Sequence, residues 1–164
     1  MDRPDLIRRL EEYARHRQLR LLEPLGSGVH GIVFAAESQL QFSVSALKAH
    51  ESISGYTRER DAYLHLQRFE VESILGCNLP ALLDFNDELQ IIEITIVKRP
   101  FVLDFAGAYL FQPPDFPEEV MAEWRAEKRE QYGERWPDVQ AILRELERLD
   151  IHMIDVNPGN ISFE

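Results

Sequence analysis

Three short segments of the sequence carry residue types that could bind and transfer a phosphoryl group. The first is Gly26-Ser27-Gly28-Val29-His30-Gly31, which lies between two strand-like stretches. Because glycine has no Cβ, a strand–turn–strand of this composition can approach a ligand closely and offer backbone N–H groups to its phosphates. The alternative interpretation is a flexible hairpin turn with no ligand. A Walker A loop is excluded, since the Gly-Lys-Ser/Thr ending is absent.

The second segment contains a lysine and a glutamate that could form an ion pair. Lys48 follows Ala46 and Leu47 at the end of a strand-like stretch, and Glu59 lies in the helix-like stretch that comes next. A lysine that faces inward can pair with a helix glutamate, and the pair can direct the ammonium group at phosphate oxygens. The alternatives are a lysine that points to solvent and a solvated helix glutamate.

The third segment is the polar string DVNPGN at residues 155–160. An aspartate and an asparagine five positions apart, across a tight turn, can place two oxygen ligands around one small volume. Asp155 could orient or deprotonate a hydroxyl, and Asn160 could bind a hard cation such as Mg²⁺. The alternative is an Asx-type turn in which both side chains bond to the local backbone.

Helical and strand periodicities predict the elements that carry these segments. Residues 4–17 and 56–69 have helical spacing. Strands are predicted at 20–25, 31–37, 42–50, 81–86 and 89–97, with the fourth and fifth joined by a hairpin turn at Asp87-Glu88. The first helix is amphipathic and carries along one face Leu6, Ile7, Leu10 and Tyr13. The predicted buried residues of the second helix are Tyr56, Tyr63, Leu66 and Phe69.

Two further helices and a loop are predicted in the last third of the chain. One helix begins at Pro117 and runs to about Tyr132, with two glutamates near its N-terminal dipole. The other begins at Pro137. Its apolar stripe comprises Val139, Ile142, Leu143, Leu146 and Leu149. Asn157-Pro158-Gly159-Asn160 is a loop signal. The order of elements predicts an α+β fold with a five-stranded antiparallel sheet and one inserted helix.

The three segments, taken in order, resemble the protein-kinase-like superfamily over residues 20–163. The matching positions are Gly26, Gly28, Gly31 and Val33, then Ala46-Leu47-Lys48, then Glu59, and finally Asp155 and Asn160. The string DVNPGN is most similar to the loop of atypical and small-molecule kinases, of the RIO or aminoglycoside phosphotransferase type. The resemblance implies an N-terminal lobe at residues 20–99. It also implies a hinge and a truncated helical C-terminal lobe at 100–164, after an N-terminal helix at 1–19.

The resemblance also implies a role for each matching residue. The backbone of Gly26, Ser27, Gly28 and Gly31 would cover the phosphates of ATP, with Val33 and Ala46 nearby. Lys48 would bind the α- and β-phosphate oxygens, and Glu59 would hold Lys48. Asp155 would accept the proton of the acceptor hydroxyl, and Asn160 would bind Mg²⁺. Residues 96–102 would form the hinge that borders the adenine pocket.

The sequence departs from the family pattern at two places. Met153 and Ile154 stand where the family has His-Arg. The family's second metal ligand is the aspartate of an Asp-Phe-Gly motif that follows the polar loop, and no such motif follows Asn160. The similar string Asp104-Phe105-Ala106-Gly107 precedes the loop, and by its order it is predicted to lie outside the site, in the hinge.

Three functions are compatible with these observations. The first is a minimal atypical kinase that transfers the γ-phosphate of ATP to a protein or small-molecule hydroxyl. The second is a pseudokinase that binds nucleotide and a protein partner, because a shortened helical lobe would leave apolar surface exposed on residues 117–149. The third is an α+β interaction domain in which the motifs are coincidental.

Composition narrows the partners and the location. The 164 residues include 18 basic and 29 acidic side chains, for a net charge of −11. This balance disfavours binding to nucleic acid, which requires basic groups to displace phosphate counterions, and binding to anionic membrane surfaces. Cys77 is the only cysteine, so the chain can form no internal disulfide. With neither a signal peptide nor a long apolar run in the sequence, a cytoplasmic location is predicted.

Overall fold

A computed structural model describes residues 3–41 and 43–163 of the chain. Phe42, in the predicted third strand, lies outside the described residues, as do residues 1, 2 and 164. In chain order the elements are α1 (Arg3–His16), β1 (Leu19–Gly28), β2 (Gly31–Ser38), β3 (Val44–His50), α2 (Ile53–Arg68), β4 (Ser73–Ile74), β5 (Cys77–Asn78), β6 (Leu82–Asn86), β7 (Ile91–Thr95), β8 (Phe101–Val102), β9 (Ala108–Leu110), α3 (Glu118–Tyr132), α4 (Trp136–Arg148), β10 (Ile151–Met153) and β11 (Ile161–Ser162). The predicted α+β class is confirmed.

The largest sheet contains five antiparallel strands in the order β1-β2-β3-β7-β6. Its central strand, β3, is buried on both faces. Because successive side chains of a strand point to opposite faces, Leu47 and Ala49 pack into one apolar cluster while Ala46 packs into the other. Lys48 alternates with Leu47 and Ala49, so it shares the face of Ala46. The predicted five-stranded antiparallel sheet is therefore confirmed.

Helix α1 covers one face of this sheet. Its inward residues, Leu6, Leu10 and Tyr13, are buried in a cluster with residues of β2, β3 and β7. Ile7, which the sequence places on the same face, is 36% exposed. It lies at the margin of the apolar stripe.

Helix α2 covers the other face of the sheet. Ser52 caps it by accepting a hydrogen bond from the Gly55 N–H, at 3.1 Å. Tyr56, Tyr63 and Leu66 are buried as predicted. Phe69 is the C-terminal cap of the helix and is 55% exposed, so its predicted burial is wrong. The helix ends one residue before Phe69, and this turns the ring out of the buried stripe.

Two short antiparallel strand pairs form the base of the site. β8 pairs with β11, with Val102 opposite Ile161. β9 pairs with β10, with Tyr109 opposite His152. β8 also pairs with β5, so that β11, β8, β5 and β4 make a second sheet. As a result, the turn between β8 and β9 lies beside the loop between β10 and β11.

Helix α4 packs against the short strands β10 and β4, and helix α3 packs against α4. The stripe of α4 packs inward as predicted, with Val139, Ile142 and Leu146 buried and Leu143 and Leu149 partly buried. Helix α3 has no buried residue, although Trp124 and Tyr132 pack against the core. The apolar surface predicted for residues 117–149 is thus absent from the α4 stripe.

No helix in residues 3–41 or 43–163 has the length and apolar character needed to cross a membrane. The division of the chain at residues 19 and 99 stays a prediction.

Candidate functional site

A cleft of about 630 Å³ lies between the five-stranded sheet and the base formed by the two strand pairs. All ten residues predicted from the sequence to bind or act on a ligand line it: Gly26, Ser27, Gly28, Gly31, Val33, Ala46, Lys48, Glu59, Asp155 and Asn160. The predicted hinge contributes Ile96, Val97 and Phe101. Ligand pockets in proteins commonly have volumes of about 300–1,000 Å³, so the cleft is large enough for a nucleotide.

Lys48 and Glu59 form a buried ion pair in this cleft. Lys48 Nζ lies 2.7 Å from Glu59 Oε2, and the two side chains are 6% and 1% exposed. Strand β3 presents Lys48 toward α2, and α2 presents Glu59 back from its second turn. The alternatives of a lysine in solvent and a solvated glutamate are therefore wrong. Burial alone would lower the pKa of Lys48, but the charges of Glu59 and Asp104 outweigh burial and raise it.

Asp104 is the second partner of Lys48. Its Oδ1 lies 2.7 Å from Lys48 Nζ. The prediction that Asp104 lies outside the site is wrong. The N–H of the preceding residue, Leu103, donates to the carbonyl oxygen of Asn160 at 2.8 Å, which holds the turn after β8 against the polar loop. Asp104 has a positive φ of 66°, a conformation that aspartate and asparagine tolerate better than most residues.

The polar loop brings Asp155 and Asn160 together, as their spacing predicts. The Asn160 Nδ2 donates to the backbone carbonyl of Asp155 at 2.8 Å, and this bond leaves the amide oxygen of Asn160 available to a ligand. The alternative interpretation, an Asx-type turn, is met in part: the Asn160 side chain bonds to the local backbone, and the Asn157 Oδ1 accepts from the Gly159 N–H at 2.9 Å. The loop thus contains a local turn, and both Asp155 and Asn160 line the cleft.

His30, at the tip of the turn between β1 and β2, contacts the polar loop directly. Its Nε2 lies 3.1 Å from Asp155 Oδ2, and Asn157 Nδ2 donates to Asp155 Oδ1 at 3.3 Å. Gly107 packs closely against both residues. A Cβ at that position would lie 2.9 Å from Asp155 Cβ and 3.8 Å from His30 Nε2. The glycine-rich hairpin, the turn after β8 and the polar loop therefore meet at one point.

The cleft contains donor and acceptor types that could hold a nucleotide and a divalent cation. A buried ammonium group beside a glycine-rich hairpin suits phosphate oxygens. Val33, Ala46 and Ile94 provide apolar lining for a base. The carboxylate of Asp104 and the amide oxygen of Asn160 are ligand types that Mg²⁺ prefers. Among the described residues no group of three or more His, Cys, Asp or Glu side chains has a metal-binding arrangement, and Asn160 is outside those residue types.

Sequence reasoning missed three residues of the site. Asp104 lies in a visible motif, but the position of that motif before the polar loop argues against a place in the site. His30 lies within the glycine-rich segment, and no feature of its sequence distinguishes it from a turn residue. His50 contacts Glu59, with Nε2 2.7 Å from Oε2. A signal for His50 existed, because it is two residues after Lys48 and so shares the same face of the strand.

The Glu59 carboxylate gives the site an acid-dependent contribution to stability. Burial would raise the pKa of Glu59, but Lys48 and His50 outweigh it and lower the pKa from 4.5 to about 2. A lowered pKa in the folded state stabilises the fold above the unfolded-state value and loses this effect as pH falls toward the folded-state value. We expect Glu59→Gln to cost stability at neutral pH, with the difference from wild type shrinking between pH 4.5 and 2.

Urea unfolding of the two proteins at several pH values measures this difference. Glu11→Gln is the matched control, since Glu11 is an exposed residue of α1, and it should unfold like wild type at every pH. A Glu59→Gln difference that stays constant from neutral pH to pH 2 would show that the ionised carboxylate is not what stabilises this cluster.

Comparisons with known proteins do not place the chain in a family. No protein-family model matches the sequence, and no significant match was found among curated proteins or among solved structures.

Proposed function

We propose that this chain is an atypical protein-kinase-like phosphotransferase, which binds ATP with Mg²⁺ in the cleft and transfers the γ-phosphate to a hydroxyl of a protein or small molecule. The observation that carries the proposal is the position of Lys48. Its Nζ lies 2.7 Å from carboxylate oxygens of both Glu59 and Asp104, in a cleft lined by the glycine-rich hairpin and by Asp155. A cytoplasmic location remains part of the proposal.

Within this proposal the described residues divide the work of phosphoryl transfer. Lys48 would bind phosphate oxygens, and the backbone of residues 26–31 would cover them. Asp155 would accept the proton of the acceptor hydroxyl at a carboxylate oxygen. Asn160 and Asp104 would hold Mg²⁺, whose charge would offset that of the phosphates. Catalysis of this kind depends on positioning and electrostatic stabilisation, and both require the three segments to stay together.

Asp104 would supply the metal ligand that the family pattern places after the polar loop. In this chain Asp104-Phe105-Ala106-Gly107 precedes that loop. The strand pairs β8–β11 and β9–β10 nevertheless set the two segments side by side. We infer that the proposed site uses the same functional groups as the family, in a different chain order. Phe105 is fully buried against Tyr63, with ring centroids 5.3 Å apart, which anchors the turn.

A second candidate function is nucleotide binding without transfer, as in a pseudokinase. The contacts of Asp155 favour it, because His30 and Asn157 each occupy one of its carboxylate oxygens. The acceptor hydroxyl would have to displace His30 or share Oδ2 with it. A protein of this kind would act by binding a protein partner. Helix α3, which has no buried residue and exposes Val120, is the proposed surface for that partner.

Nucleotide binding is tested by thermal-shift titration with ATP and Mg²⁺. We expect wild type to be stabilised by the nucleotide and Lys48→Met to lose that stabilisation. Lys128→Met is the matched control, since Lys128 lies on α3 and bonds to Glu127 and Gln131. No stabilisation of wild type would overturn both nucleotide-binding functions and favour the α+β interaction domain with coincidental motifs.

Transfer is tested separately, with γ-labelled ATP and Mg²⁺ and with release of ADP as the readout. We expect slow turnover by wild type and none by Asp155→Asn. Nucleotide-dependent stabilisation without ADP release or label transfer would support the pseudokinase over the phosphotransferase. Equal turnover by wild type and Asp155→Asn would remove Asp155 from the proposed mechanism.

A further inference from the structure

His50 is a fully buried histidine beside the proposed phosphate-binding lysine. It is the last residue of β3, on the same face as Lys48, and none of its surface is exposed. Strand pairing places it opposite Gly31, where the glycine-rich hairpin returns to the sheet. The ring of Tyr56 packs edge-on against it, with centroids 5.5 Å apart. These contacts fix the position of the imidazole without any ligand.

Both ring nitrogens of His50 face hydrogen-bond acceptors. Nε2 lies 2.7 Å from Glu59 Oε2, and Nδ1 lies 3.2 Å from the backbone carbonyl oxygen of Gln90. A carboxylate and a carbonyl oxygen can only accept, so both contacts are hydrogen bonds when each ring nitrogen carries a proton, as in the imidazolium form. Glu59 Oε2 is the same oxygen that contacts Lys48. One carboxylate oxygen therefore lies 2.7 Å from both Lys48 Nζ and His50 Nε2.

This arrangement changes the charge balance around Lys48. Lys48 contacts two carboxylates, Glu59 and Asp104, which compete with any phosphate for its positive charge. With His50 as an imidazolium, the cluster contains two cations and two anions. The second cation offsets Glu59, which leaves more of the Lys48 charge available to a phosphate. The hydrogen bond from Nε2 also fixes the rotamer of the carboxylate that anchors the lysine.

Helix α1 reinforces the same arrangement from the opposite face of the sheet. Arg9 donates from one guanidinium nitrogen to the backbone carbonyl of His50, at 2.7 Å, and from another to that of Leu89, at 2.8 Å. These bonds join the end of β3 to the turn that supplies the Gln90 carbonyl. The buried Arg9 side chain thus holds the backbone of His50 and that of Leu89, the residue before Gln90.

We propose that His50 is a positioning residue for the phosphate-binding lysine: it orients the Glu59 carboxylate toward Lys48 and offsets its charge. The inference rests on the proposed nucleotide binding at this site. His50 acts on Lys48 through Glu59, in addition to the direct contacts that Glu59 and Asp104 make with the lysine.

The first test compares ATP binding by variants of His50. His50→Leu removes the donor to Glu59, and we expect the Kd for ATP with Mg²⁺ to rise roughly tenfold. His50→Gln keeps an N–H near the position of Nε2 and should recover part of the affinity. His65→Leu is the matched control, because His65 is a histidine of α2 whose ring bonds to the Leu149 carbonyl and not to Glu59. The affinity of this variant for ATP should equal that of wild type.

Equal affinity in His50→Leu and wild type would overturn the proposal, and so would an equal loss in His50→Leu, His50→Gln and His65→Leu. The second test needs no nucleotide and keeps the two proposals separate. In ¹⁵N spectra of wild-type histidines, assigned by comparison with His50→Gln, both ring nitrogens of His50 should carry a proton. An unprotonated Nε2 would overturn the role of His50, whereas absent ATP binding with both nitrogens protonated would overturn only the proposed function.

Discussion

Asp104→Asn is expected to lower the rate of phosphoryl transfer by on the order of 100-fold or more while leaving the fold intact. The carboxylate is one of two proposed ligands of Mg²⁺, and an amide in its place is a neutral and weaker ligand. Asparagine is the appropriate replacement because Asp104 has a φ of 66°, which asparagine also tolerates. The amide of the variant can still accept a hydrogen bond from Lys48 and has nearly the same size as the carboxylate. The lower rate should therefore result from the lost negative charge.

Rates of ADP release with saturating ATP and Mg²⁺ measure this effect. Asp115→Asn is the matched control, since Asp115 is an exposed residue in the segment before α3, and its rate should equal that of wild type. The variant should also need more Mg²⁺ to reach half of its maximal rate. An Asp104→Asn protein with the rate and the Mg²⁺ requirement of wild type would show that Asp104 only neutralises Lys48.

Asp104 also shows where sequence reasoning stops. The motif around it is visible in the sequence, and the loop that contains Asp155 is visible as well. Their proximity depends on the pairs β8–β11 and β9–β10, which contain two or three residues per strand. Strands so short carry almost no periodic signal, and their partners are distant in the chain. The assumption that the family's chain order must hold then excluded a residue that the pairing brings to Lys48.

The larger elements were predictable because their periodicity is long and regular. The five strands of the main sheet and the helices α1, α2 and α4 follow from apolar spacing at periods of 2 or 3.6 residues, and α3 follows from Pro117 and the glutamates at its start. The error at Phe69 lies at a helix end, where the direction of a side chain depends on the last turn. The ion pair of Lys48 and Glu59 was predictable for a similar reason, since a strand and the next helix commonly pack together.

The role proposed for His50 required the structure for a different reason. Its place on the face of Lys48 follows from alternation along β3, and this could have been read from the sequence. Its two acceptors could not. Gln90 belongs to the turn between β6 and β7, and it reaches His50 only because β7 pairs with β3. The protonation form inferred for the ring depends on that tertiary contact.

The glycine-rich hairpin provides a matched pair of substitutions whose effects on stability should differ greatly. Gly31 has a φ of 145°, and a Cβ there would lie 2.0 Å from the carbonyl oxygen of Ala49. At Gly28 nothing lies within 4 Å of such a Cβ. The clash at Gly31 is with backbone of the central strand, which cannot move without disturbing the pairing of β2 and β3.

We therefore expect Gly31→Ala to lower the free energy of unfolding by roughly 3 kcal/mol or more, and Gly28→Ala to change it by less than about 1 kcal/mol. Urea unfolding at neutral pH measures both.

Because Gly31 pairs with His50 and Val33 pairs with Lys48, any shift that relieves the clash also displaces the strand that carries the lysine. Gly31→Ala protein that remains folded should then bind ATP more weakly than Gly28→Ala. Equal stability of the two variants would mean that the hairpin can move away from β3 at little cost, and the hairpin would then be a flexible turn and not a fixed cover for phosphates.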